Sequence, residues 1–133
     1  MYKFLETEIF KLKYPSFWSY ESDDQVHSIF DTQGIGAFQI SEFRSNSSQI
    51  KFNLNEEKLA YENSIIKEYP NFKAIYFMDS AFHPESLIFK WITGKDRNMI
   101  FCTYTISKDD FETKSFRNEL KFIEGIVKSL KVK

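Results

Sequence analysis

Residues 9–44, IFKLKYPSFWSYESDDQVHSIFDTQGIGAFQISEFR, most constrain what this chain can become. Apolar and polar residues alternate through the stretch four times between turn signals, the pattern of short antiparallel strands. Phe10, Leu12 and Tyr14 fall on one side of the first strand and Lys11 and Lys13 on the other, because side chains in a strand point to opposite faces in turn. Pro15, which lacks the ladder N–H, ends that strand. Trp18 and Tyr20 open a second strand, Glu21, Ser22, Asp23 and Asp24 form a polar hairpin tip, and residues 26–30 and 37–41 supply two more strands. Gly34 and Gly36 give the backbone the freedom for a tight turn or bulge. A phosphate-binding loop would need a helix after the glycines, and a strand follows instead.

The polar stretch 45–50 reads as a surface loop. After it, Asn53 or Asn55 is placed to cap a helix over 55–69, with Glu56 and Glu57 complementing its positive end and Pro70 stopping it. Strands are expected at 72–79, 86–94 and 97–106, the last two joined in a hairpin through 94–98. Residues 112–131 have the strongest helical signal, since Phe116, Leu120, Ile123, Val127 and Leu130 recur at spacings of four and three and form one apolar stripe.

The order β-β-β-β-α-β-β-β-α therefore predicts a single α+β domain over 1–133, an antiparallel sheet flanked by the two helices. Its Tyr14-Pro15-x-x-Trp18 corner, its Gly34-x-Gly36-Ala-x-Gln-Ile-Ser41 strand and its closing helix ending Ile-Val-Lys-Ser-Leu-Lys resemble the Mog/PsbP-like superfamily, most of all small bacterial members of unknown function. The resemblance implies an α/β/α sandwich and structural roles for Tyr14, Pro15, Trp18, Gly36, Phe38, Ile40 and Ser41. It also implies a non-enzymatic role, because the superfamily includes a Ran-binding factor and the photosystem-associated PsbP proteins.

Composition excludes little but does bound the chemistry. Eighteen Lys and Arg against nineteen Asp and Glu favour neither nucleic acid nor an anionic membrane as partner. The single Cys cannot form an internal disulfide, and charges at Lys3, Glu6 and Glu8 interrupt any leader-like apolar run, so a reducing cytosol is the expected compartment. His27, His83 and Cys102 are far apart in sequence. Cys102 shares a strand face with Ile100, Tyr104 and Ile106 and reads as a small buried hydrophobe, while His27 beside Ile29 reads as a strand residue and Trp91 as core. The acidic pairs Asp23-Asp24 and Asp109-Asp110 lack the ligand series and turn glycine of a hard-cation loop. No cofactor, metal or catalytic residue is expected.

These readings favour a non-catalytic protein-binding or accessory module of a bacterial cytosol, such as an immunity-type protein, acting as monomer or homodimer. Its expected contact residues are Phe82 and His83 in the 80–85 loop and Lys95 and Arg97 at the 94–98 hairpin, aromatic and cationic groups on loops held by strands. The competing reading is a small-ligand binder or hydrolase with a pocket between sheet and helix, which would require convergent polar groups in a concavity.

Overall fold

The computed structural model of the chain describes residues 1–47, 49–80 and 84–133. Ten strands form two antiparallel sheets. A small sheet has the order β1-β2-β10, from β1 (Tyr2–Glu6), β2 (Phe10–Pro15) and β10 (Lys131–Val132). A large sheet of seven strands combines β3 (Ser19–Asp23), β4 (Val26–Phe30), β5 (Ala37–Arg44), β6 (Ile65–Glu68), β7 (Lys73–Asp79), β8 (Ser86–Lys95) and β9 (Asn98–Ser107). Its strand order is β3-β4-β5-β9-β8-β7-β6. The helices are α1 (Leu54–Lys58) and α2 (Lys114–Lys128).

Register explains where the core lies. Directly paired residues share a face, so the pairs Ile29↔Phe38, Ile40↔Cys102, Tyr104↔Phe89 and Trp91↔Cys102 place one continuous apolar surface on the front of the large sheet. Phe10, Leu12 and Tyr14 from β2 join that surface, as do Phe116, Ile123, Ile126 and Val127 from α2, in one buried cluster. The second layer is thus the small sheet together with α2. On the back of the large sheet Ile75 and Ile92 pair, and the segment around α1 covers this side, with Tyr61 stacked on Phe77 at 4.9 Å.

This architecture corrects the expected α+β, α/β/α sandwich of Mog/PsbP-like type. Strand dominates, the strands divide between two sheets, and only α2 is a helix of substantial length. Asn53 does cap a helix, its side chain accepting from the Glu56 N–H at 3.1 Å, but that helix ends after Lys58 instead of running to Tyr69. Asn63 adopts a left-handed φ of 62°, which breaks helical geometry. The β-branched Ile65 and Ile66 then pair with β7 as an edge strand, where lateral hydrogen bonding outweighs the helical spacing of Leu59, Ile66 and Tyr69. Strand β1 was not anticipated, because it sends almost no side chain into the core.

The closing helix begins at a Thr113 cap whose hydroxyl accepts from the Phe116 N–H, and it ends at Lys128, three residues short of the expected limit. Ile123 is fully enclosed, whereas Leu120 lies only partly buried at the margin of the cluster. Ile123→Ala should therefore destabilise the fold by about 2–5 kcal/mol, with a clearly smaller loss for Leu120→Ala. Urea unfolding compares the two directly, and equal midpoints would contradict this packing.

Candidate functional site

The hairpin tip that carries Lys95 and Arg97 is tied down. Arg97 Nε donates to the Ser45 carbonyl at 2.8 Å, and the Ser45 N–H donates back to the Arg97 carbonyl at 2.9 Å. The Phe52 N–H adds a bond to the Asp96 carbonyl at 2.6 Å. Phe82 and His83 lie outside the described residues. Ser86 and Lys95, the two ends of β8, stand roughly 30 Å apart at about 3.3 Å per residue.

Cys102 is enclosed between Ile40 and Trp91 of the neighbouring strands, and burial pushes its thiol well up from the ordinary value. With little thiolate present, thiol-reactive probes should label the native protein slowly and the denatured protein fast. Rapid labelling of the folded state would contradict the enclosure. Among the described residues no three His, Cys, Asp or Glu side chains are grouped to hold a metal ion.

Three carboxylates, Glu119 buried and Glu42 and Glu124 partly buried, join elements that lie far apart in sequence. Glu42 meets His27 Nε2 at 3.1 Å and accepts from the Thr7 hydroxyl at 2.7 Å, while His27 Nδ1 meets the Tyr20 hydroxyl at 2.7 Å. This chain of contacts fastens the β1–β2 turn to the large sheet. Glu124 of α2 accepts from Lys67 Nζ at 2.7 Å and from the Tyr69 hydroxyl at 3.0 Å, and that hydroxyl accepts from Trp91 Nε1 at 2.9 Å. Period-2 alternation does place His27 and Glu42 on the inward face, but nothing local reveals their partners.

Glu119, one helical turn before Ile123, makes the third junction. It accepts from the Ile35 N–H at 3.1 Å, the Gly36 N–H at 2.9 Å and the Tyr104 hydroxyl at 2.9 Å. Burial, followed by the Glu119 charge, raises the Tyr104 phenol above its ordinary range and keeps it a donor. A hollow of about 220 Å³ beside this junction is lined by Trp18, Asp31, Gly34, Ser115 and Phe122. Because both Glu119 oxygens are occupied as acceptors, its chemistry is structural. Gly34 is required here for space, since a Cβ would collide with Glu119 Oε2. Gly34→Ala should displace the carboxylate and orphan two backbone N–H groups, at about 1–3 kcal/mol each, against about 1 kcal/mol for Tyr104→Phe. Unfolding midpoints would rank the two variants.

The surface left open by these junctions is aromatic and cationic. Tyr2 and Phe4 stand 59% and 65% exposed on the outer side of β1. Lys13 Nζ lies 4.7 Å from the Tyr2 ring centre and Lys11 Nζ 5.2 Å from that of Phe4, the diagonal neighbours that antiparallel pairing brings within reach. Beyond β2, Phe122 of α2 is 44% exposed and meets Phe17, 65% exposed, edge to face at 5.8 Å. Two hollows follow β2. One, of about 330 Å³, lies among Phe4, Lys11, Lys13, Asn71, Ser129 and Lys131. The other, of about 110 Å³, lies among Tyr2, Lys13, Pro15, Lys121, Phe122 and Gly125. Lys13 belongs to both, so they form a single groove with β2 as its floor.

No curated protein is significantly similar to the chain. A crystal structure of a protein from Bacteroides thetaiotaomicron aligns with a TM-score of 0.71 over 93% of this chain at 21% identity, a likeness of fold. The chain spans 45% of that protein's length. A family described as a domain of unknown function, DUF3805, has a model that matches residues 3–133. That match runs through the small sheet, the large sheet and α2 alike, and the chain belongs to the DUF3805 family.

Proposed function

We propose that this chain is a non-catalytic protein-binding module whose contact face is the outer side of the small sheet and the adjoining side of α2. The observation that carries the reading is the line of exposed aromatics, Phe4 and Tyr2 on β1, Phe122 on α2 and Phe17 in the β2–β3 turn. Each ring exposes surface whose burial is favourable by about 25 cal/mol per Å², and aromatic anchors dominate the energetics of protein interfaces. Lysine ammonium groups over the rings of Tyr2 and Phe4 keep this face wetted while no partner is bound. An accessory or immunity-type protein would work in this way, by covering part of another protein's surface.

A photo-cross-linking side chain at position 17 should capture a discrete partner in the host cell, whereas the same group at position 59, exposed at the end of α1, should not. Phe17→Ser and Phe122→Ser should each weaken that complex by more than about 1 kcal/mol without moving the unfolding midpoint appreciably. Equal capture from both positions, or none from position 17, would place the interface elsewhere.

A further inference from the structure

We infer that the segment held in the β2 groove is an acidic, extended stretch of a partner polypeptide; this rests on the protein-binding reading and specifies its ligand. The groove is lined by Lys11, Lys13, Lys121 and Lys131, and no Asp or Glu is among its lining residues. The chain as a whole carries a net charge of −1, so this concentration of positive charge is local. From Lys11 to Pro15 the floor is about 13–17 Å long at about 3.3 Å per residue, the span of some five residues of extended chain.

Two local costs converge on this groove, and neither is explained by folding. Lys131 is paired directly opposite Lys11 in the β10–β2 ladder, and like charges in that position destabilise a sheet; Glu6, opposite Lys11 on β1, offsets only part of this, because it is also paired with Lys133. Gly125 lies inside α2, where glycine is a poor helix former. Within the chain a Cβ at Gly125 would meet nothing within 4 Å, so no internal packing requires the glycine. Both residues line the groove, at opposite ends. Lysines set against each other gain their counter-charge when carboxylates arrive, and a bare helix surface lets an incoming backbone approach closely. Departures from local sequence rules are expected where function demands them.

The test uses the full chain and two synthetic octapeptides, one alternating Glu with Val and the other Lys with Val, followed by amide chemical shifts. The acidic peptide should perturb residues 11–15 and Gly125, should weaken steeply with salt, and should bind at least tenfold more tightly than the basic one. Lys131→Glu and Gly125→Ala should each raise the unfolding midpoint while lowering acidic-peptide affinity, Lys131→Glu by tenfold or more. Gly125→Leu should block binding in a folded protein. Equal binding of both peptides, unchanged affinity in all three variants, or equal competition by inorganic tripolyphosphate would overturn the inference. So would shifts confined to the outer edge of β1, or self-association of the chain through this face. Should position 17 still capture a partner while the acidic peptide fails to bind, this inference falls and protein binding stands; should both fail, neither reading survives.

Discussion

The alternation of β2 is the constraint on which the rest depends. Its odd-numbered residues, Lys11 and Lys13, face outward, and its even-numbered residues, Phe10, Leu12 and Tyr14, enter the core that the large sheet and α2 share. One six-residue strand therefore anchors the small sheet to the large one and also supplies the floor of the aromatic-lysine groove. A shift of register by one residue would put two lysines in the core and two aromatics in water. The fold and the binding face are thus specified together.

The three carboxylate junctions complement this apolar attachment. Hydrophobic contact between α2 and the sheets is non-directional and would tolerate sliding, whereas Glu119 and Glu124 each fix a point along the helix against particular backbone or side-chain donors. Glu42 does the same for the β1–β2 turn through Thr7 and His27. At the buried Glu119 junction, removing one partner costs more than the junction contributes when intact, because the group left behind is buried without solvent. These contacts set orientation more than they add stability.

How much of this was legible in the sequence follows from the range of each interaction. The strands of the 9–44 meander, the β8–β9 hairpin and the core of α2 announce themselves by period and turn chemistry, which are local. Helix 55–69 failed because Leu59, Ile66 and Tyr69 fit a helical spacing, and only the pairing of Ile65 and Ile66 with β7 decides against it. Strand β1 carries Tyr2, Phe4 and Glu6 on a face that meets no core, and Leu5 alone reaches the cluster from its other face, so it lacks the run of core-facing residues that marks the other strands. The groove inherits that difficulty, since its walls come from residues 2–4, 121–125 and 129–131, brought together only by β10 and the end of α2. Gly34 was expected for backbone freedom, but its φ is not in the left-handed region; what requires it is the carboxylate lodged against it, from a residue 85 positions away.

Ser129, the capping residue of α2, bears on a different question, which is what closes one side of the small sheet. Its hydroxyl accepts the Lys13 N–H at 2.9 Å and lies 3.2 Å from the Lys13 carbonyl, occupying the place a neighbouring strand would take. Farther along the same edge β10 pairs with Phe10 and Lys11. That side of the small sheet is thereby closed by a two-residue strand and a single hydroxyl. On the other side the Thr7–Phe10 and Met1–Ser16 bonds imply, by the alternation of an antiparallel ladder, that Tyr2, Phe4 and Glu6 direct their backbone groups outward. Along β2 the place of a further strand is taken by β10 and the Ser129 hydroxyl together, which works against stacking sheet upon sheet through both edges, the geometry of an open-ended fibre.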